Sequence, residues 1–181
     1  MKKTVVGVFD DFTAAQLMAP DLINEGFPKE AISVIAPDTN VEAARYFNTP
    51  SATHPETEPG IGTGAAIGGL GGLLLGAAAL AIPGLGLLYA VGPLATLITG
   101  AMTGALTGSF VSALNGMGIP EYQAEAYEAG MREGHSHVFV HTDATNAERA
   151  AELMRERHAL RVDIHDVTDP LPYEVTRESS V

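Results

Sequence analysis

Residues 60–120 read GIGTGAAIGGLGGLLLGAAALAIPGLGLLYAVGPLATLITGAMTGALTGSFVSALNGMGIP, and this stretch decides how the chain is organised. From Pro59 to Pro120 there is no Asp, Glu, Lys, Arg or His, although these residues are spread through the rest of the chain. The same stretch holds sixteen of the twenty glycines. The sequence therefore combines an uncharged, glycine-rich segment with an acidic protein whose formal net charge is −12.

Small residues recur at every fourth position in both halves of this segment. Residues i and i+4 lie on one face of a helix, so the spacing predicts a helical hairpin, with helices at residues 61–82 and 93–115 joined by a turn at Pro83-Gly84-Leu85-Gly86. Each helix presents a ridge of small side chains that lets helix backbones pack closely. The ridge glycines predicted to mediate helix packing and oligomerisation are Gly60, Gly64, Gly68, Gly72, Gly76, Gly92, Gly100, Gly104, Gly108 and Gly116.

The lengths of the two predicted helices match a bilayer. The first has twenty-two residues, or about 33 Å as helix, against a hydrocarbon core of about 30 Å. This predicts transmembrane helices, with the protein associated with the inner membrane and its charged domain in the cytoplasm. No Lys or Arg occurs from Tyr46 to Met131, however, so the basic flanks typical of cytoplasmic loops are missing. A cytoplasmic soluble oligomer that buries the hairpin in its core is therefore the alternative.

The outer parts of the chain predict an α+β fold. Valine-rich strands are expected at residues 4–9 and 31–36, with a helix from Phe12 between them. Strands at residues 137–141 and 160–167 flank a second helix, which Thr145 and Glu148 begin with the spacing of a capping box. Two β-α-β units predict a ferredoxin-like sandwich, with the glycine-zipper helical hairpin inserted between the second and third strands.

Changes in composition divide the chain into five segments. The first half of the ferredoxin-like domain is residues 1–47, and a polar linker follows at 48–59. The glycine-zipper hairpin is residues 60–117. A connecting helix, in which Pro120 occupies the first turn, and the second half of the domain form residues 118–168, before a tail at 169–181.

Several functional classes are excluded by composition and motif. An acidic chain lacks the clustered Lys and Arg that nucleic acid requires, and the absence of cysteine excludes thiolate catalysis and thiolate metal sites. The short apolar run after Lys2 and Lys3 predicts no signal peptide. No Walker lysine or nucleophile elbow accompanies the glycines. We therefore expect no catalytic residues, no cofactor and no enzymatic activity.

Histidines are the remaining candidates for chemistry. On a strand His135, His137 and His141 have the same parity, so they point to one face, and His165 can join them from the last strand. With Asp163 they could hold zinc or nickel. The simpler interpretation is that they line a half-exposed sheet face or a subunit contact, which leaves His137, His141 and His165 as weak metal candidates.

Several short motifs resemble a known bacterial group. These are Val5-Val6-Gly7-Val8-Phe9-Asp10, Ile82-Pro83-Gly84-Leu85-Gly86, Ala90-Val91-Gly92-Pro93-Leu94 and Gly118-Ile119-Pro120-Glu121, together with the glycine ridges. Over residues 4–168 the chain resembles the general-stress-protein-like family, also labelled low-temperature-induced or heat-induced stress proteins, with a glycine-zipper insert. The resemblance implies a bacterial protein with a role in stress and no defined catalytic residues. By analogy of fold alone, the hairpin is also similar to anchor subunits of quinone-linked oxidoreductases.

Two hypotheses of function follow. In the first, the chain is a non-enzymatic, membrane-associated stress or scaffold protein that assembles with itself through the glycine ridges. In the second, the assembled hairpins form an apolar channel that holds a lipophilic ligand, a quinone or a lipid, for a partner enzyme. Both predict a homo-oligomer, with a lipid bilayer or a lipophilic ligand as the further partner.

Overall fold

The computed structural model describes residues 1–10, 12–39, 78–82, 85–95 and 110–167. The predicted linker, most of the predicted hairpin and the tail lie outside these residues. The elements are β1 (Lys2–Phe9), α1 (Phe12–Asn24), a 3-10 turn (Lys29–Ala31), β2 (Ile32–Pro37), β3 (Ala78–Ile82), β4 (Gly86–Val91), α2 (Phe110–Asn115), α3 (Glu121–Arg132), β5 (Ser136–Asp143), α4 (Ala144–Glu156) and β6 (Arg161–Val167).

Within the described residues six strands form one sheet, in the order β3-β4-β2-β5-β1-β6. Every neighbouring pair is antiparallel. The longest strand pairing is that of β1 and β5, in which Val6 lies opposite Phe139 over an eight-residue register. Most side chains of β1 and β5 are buried on both faces, because helices pack on each face of the sheet.

The first face of the sheet carries an apolar core under α1 and α4. Odd-numbered residues of β1 and even-numbered residues of β5 point to this side, among them Val5 and Val140. They pack against Met18 of α1 and Met154 of α4, both of which are fully buried. This core depends on the helical spacing of the apolar residues in α1 and α4, as the sequence predicts.

The second face is covered by α2 and α3. Val6, Val8 and Phe139 from the sheet form a second core with Phe110 of α2 and Tyr127 of α3. The sheet is therefore the middle of three layers, with a pair of helices on either side. Gly118 holds the connection between α2 and α3 against β6: its φ is +79°, and a Cβ there would lie 2.8 Å from the Asp166 carbonyl oxygen.

The prediction of an α+β fold is confirmed. The predicted outer strands correspond to β1, β2, β5 and β6, within two residues at each end. Helix α1 continues through Pro20 to Asn24, and Pro120 precedes α3 as its N-cap residue. The capping box is wrong, because α4 begins at Ala144 with Asp143 at the N-cap, and no side chain caps it.

The prediction of transmembrane helices is also wrong. Among the described residues no helix is both long enough and apolar enough to cross a membrane. The last residues of the first predicted span form strand β3, which pairs with β4 from Ala78 opposite Ala90 to Ile82 opposite Gly86. Leu85 of the predicted turn lies between β3 and β4, so the described elements on either side of it are strands. Helix does occur at residues 93–95 and in α2, inside the second predicted span.

Candidate functional site

The polar side chains that the sheet brings together lie on its second face, beneath α3. Strand pairing sets His141 of β5, Thr4 of β1 and His165 of β6 in one row across the sheet. A parallel row, four pairings along, runs from His137 through Val8 to Arg161. We call this arrangement the histidine face; its polar members are Thr4, His137, His141, Arg161, Asp163 and His165.

The predicted histidines meet here in part. His137, His141 and His165 lie on the same face and are buried, as their parity indicates. His135 precedes β5 and lies at the edge of the domain, with its Nε2 3.6 Å from an oxygen of Asp10. Among the described residues no group of three or more His, Cys, Asp or Glu side chains could hold a metal ion. The weak metal candidates therefore share a face of the sheet without converging on a common point.

At one end of the face, Thr4 ties His141 to the covering layer. The Thr4 hydroxyl lies 2.9 Å from Nδ1 of His141 and donates to the carbonyl oxygen of Met117, 3.3 Å away. A hydroxyl has one proton, so when it is directed at Met117 the hydrogen on Nδ1 of His141 must point to Thr4. This connects β5, β1 and the segment after α2 through buried hydrogen bonds.

Tyr127 connects α3 to the edge strand β6. Its hydroxyl donates to Oδ2 of Asp163 at 2.8 Å and lies 2.9 Å from Nε2 of His165. The proton count then requires His165 to carry its hydrogen on Nε2 and to donate it to Tyr127. Arg161 completes the cluster, because its Nε donates to Asp163 and its guanidinium lies 5.1 Å from the centre of the Tyr127 ring.

The surroundings of Tyr127 keep it neutral. Burial, and then the hydrogen bond and the charge of Asp163, raise the pKa of Tyr127 well above its ordinary value. Its hydroxyl is therefore a hydrogen-bond donor at physiological pH, and it is a poor general base. Burial lowers the pKa of His165 in spite of the nearby Asp163 carboxylate. The cluster is suited to holding a helix onto a strand.

His137 is the most enclosed polar group of the face. It has no exposed surface, and in the described part of the chain neither ring nitrogen makes a well-formed hydrogen bond, although the backbone of His135 lies near enough to favour the charged ring. Its ring stacks on Phe139 and meets Tyr127 edge to face. Burial, with a smaller contribution from the charge of His135, lowers the pKa of His137 to about 3. His137 is therefore neutral at physiological pH.

Two of the ridge glycines can be placed. Gly92 follows β4 with a φ of +91°, and a Cβ there would lie 2.2 Å from the carbonyl oxygen of Ile32. Gly116 follows α2 in a turn. For these two the close contacts are with the backbone of their own domain. The other eight, Gly60, Gly64, Gly68, Gly72, Gly76, Gly100, Gly104 and Gly108, lie outside the described residues, and their helix-packing role stays a prediction.

Sequence reasoning missed two members of the histidine face, Thr4 and Arg161, and also Tyr127 of α3, which packs on that face. The signal for Tyr127 was present, since Ala124, Tyr127 and Met131 have the spacing of one helix face and all three are buried. What the spacing does not reveal is the surface on which that face docks. Arg161 could have been placed by its parity with Asp163 on the last strand.

Comparisons with known proteins add nothing to the geometry. No protein-family model, no curated protein and no solved structure matches this chain. The resemblance to general-stress-like proteins therefore stays a prediction.

Proposed function

We propose that this chain is a non-enzymatic assembly protein whose copies associate through the uncharged, glycine-rich segment at residues 60–117. The observation that carries the proposal is the sixty-two-residue absence of charged side chains between Glu58 and Glu121, combined with small residues at every fourth position. Monomeric proteins rarely expose large surfaces without charge, so a second copy is the natural partner for this segment. Such a role needs no cofactor and no catalytic residue.

The described parts of the segment support this assignment, because they belong to the fold of the domain. Strand β4 pairs with β2, so that Ala90 lies opposite Ile35. Helix α2 buries Phe110 and Leu114 in the core of the second face. A segment anchored in this way at two points is held to the domain, so contacts between segments would bring whole domains together.

We further propose that β1, α1, β2, β5, α4 and β6 form a ferredoxin-like sandwich that carries the segment. The support is the order β2-β5-β1-β6 within the sheet, in which the two halves interleave. Each half contributes one helix to the first face. Strands β3 and β4 then extend this sandwich at the β2 edge.

Size measurement of a ridge variant tests the assembly. Gly68→Leu combined with Gly104→Leu places large side chains on both ridges, and we expect the particle mass to fall relative to the wild type. The matched control is Ala66→Leu with Ala105→Leu, which adds side chains of the same size beside the ridges. An unchanged mass in the ridge variant, or an equal loss in the control, would overturn the proposed packing surface.

The alternative function, binding of a lipophilic ligand, depends on the same segment. Extraction of the purified protein with organic solvent distinguishes it from assembly alone. If assembled segments enclose a quinone or a lipid, organic solvent should extract that molecule from the purified protein at a fixed ratio to the chain. An empty extract from an intact oligomer favours assembly as the function.

A further inference from the structure

The histidine face is unusual in being polar and yet covered. In antiparallel sheets with one solvent-exposed face, polar side chains alternate with apolar ones along each strand, and the polar side chains point to the solvent. On the histidine face the polar side chains with this arrangement are Thr4, His137, His141 and His165. They are buried, because α2, α3 and the segment between these helices cover them and exclude water. The stability of this layer therefore depends on the protonation state of buried imidazoles.

His137 is the point at which the layer is most sensitive. Its imidazole lies directly under α3: a Cβ built on Gly130 would be 3.5 Å from Cε1 and 3.6 Å from Nε2 of the ring. An imidazolium has two N–H donors and a full charge. Among the described residues the backbone of His135 can serve at most one of these donors, so the other must reach water when the ring is charged, and α3 lies in the way.

We propose that the histidine face is an acid-sensitive latch, in which protonation of His137, assisted by His165, releases α3 from the sheet while the first face keeps the domain folded. The latch concerns the domain itself and does not depend on the proposed assembly. Because α3 follows the uncharged segment directly in sequence, its release would remove one of the elements that pack against the last part of that segment, helix α2.

The charges around His137 favour release. From the strands, the titratable or charged groups facing the layer are His141 of β5, Arg161, Asp163 and His165 of β6, and the exposed pair Lys2 and Asp143 at the far end. From α3 and the loops they are Tyr127, Glu128, Arg132, Glu133, His135 and Asp10. Among the described residues β2, β4 and α2 contribute none on this side.

The nearby acids are already engaged. Asp163 accepts from Tyr127 and Arg161, and Glu128 pairs with Arg132. Asp10 and Glu133 lie next to His135, close to the solvent. The charges of His135 and Arg161 lower the pKa of His137, whereas the backbone of His135 acts in the opposite direction. Burial outweighs the backbone contribution, so the charged ring is disfavoured while α3 covers it.

The direction of the pH effect follows from linkage. Burial lowers the pKa of His137 from 6.5 to about 3 in the closed state. Its neutral form therefore contributes stability above about pH 6.5, and this is lost as the pH falls toward 3. With an open-state value of about 6.5, the opening equilibrium of α3 should rise about 30-fold by about pH 5.

Native-state hydrogen exchange tests the latch on the full chain. Opening equilibria, corrected for intrinsic exchange rates, are measured for amides of α3 and of α4 at about pH 7.5 and about pH 5. We expect a rise of about 30-fold for α3 and less than about 3-fold for α4. Equal responses of the two helices would overturn the proposal, because acid would then be loosening the whole domain.

Substitutions test whether the pH response of α3 depends on His137. His137→Leu and His137→Gln should each remove most of the pH response of α3, whereas His158→Asn should retain it, since His158 lies in the turn after α4. Retention of the full response in a folded His137 variant would contradict the latch. Should both variants fail to fold, NMR titration of the wild-type ring decides: protonation of His137 above about pH 5 with α3 still protected would overturn it.

Discussion

Gly92 shows that a glycine at helical spacing can have a structural role other than packing between helices. It belongs to a run of small residues at helical spacing, yet it lies after β4 in the left-handed region, with the backbone of Ile32 and Ser33 against it. The close approach is real, but the neighbouring backbone is that of β2. Spacing alone therefore does not distinguish packing between helices from packing within the domain.

Gly92→Ala should lower the free energy of unfolding by about 3 kcal/mol, since the new Cβ adds a backbone clash to the strain of a positive φ. Gly26→Ala is the matched control, because its φ of +94° is similar but the space around it is open; its cost should be about 1 kcal/mol. Urea denaturation measures both. Equal losses would show that the contact with Ile32 carries no energy.

Tyr127→Phe should destabilise the domain by about 2 kcal/mol, because His165 loses the oxygen to which it donates and Asp163 loses one donor. Tyr122→Phe on the same helix is the control. Its side chain is exposed, so its effect should stay within about 0.5 kcal/mol. If thermal unfolding of the two variants cannot be told apart, the hydroxyl of Tyr127 does not hold α3 to β6.

Among the elements, the outer strands and helices were predictable and the central hairpin was not. Residues 5–9 and 138–140 are short continuous apolar runs, as expected of strands buried on both faces, and the apolar spacing of α4 fits only a helix. Residues 78–82 are Ala-Ala-Leu-Ala-Ile, a run that suits a buried helix and a buried strand equally well. Pairing with β4, a tertiary contact, selects the strand.

The candidate site, too, was predictable from the sequence only in part. Parity on β5 and β6 correctly placed His137, His141 and His165 on one face. The covering of that face by α3 could not be predicted, because an amphipathic helix indicates which of its sides is buried and leaves its docking surface open. Tyr127 therefore entered the site only through the tertiary structure.

Helix α3 itself offers a stabilising change. Gly130 lies inside the helix, and a Cβ there would make ordinary contacts, at 3.4 Å from Nδ1 of His135. Gly130→Ala should therefore raise the free energy of unfolding by up to about 1 kcal/mol through helix propensity. Gly134→Ala should do the opposite, since Gly134 ends the helix with a φ of +98°. Loss of stability in Gly130→Ala would mean that α3 packs on His137 more tightly than these distances indicate.

For the whole molecule, charge and assembly act against each other. Each copy carries a net charge of −12, so copies that associate through an uncharged segment must bring acidic domains together. Added salt screens this repulsion. We therefore predict that the dissociation constant of the oligomer falls as salt is raised, measured by sedimentation velocity across a dilution series. Dissociation by salt would instead indicate an interface built from ion pairs.

The central claim is that copies of the chain associate, and the most direct test is the mass of the purified wild-type protein in solution. Analytical ultracentrifugation over a range of concentrations should give a discrete particle of several chains, each of 18.8 kDa. A mass of one chain at every concentration would contradict the account, because the uncharged segment would then have no second copy to cover it.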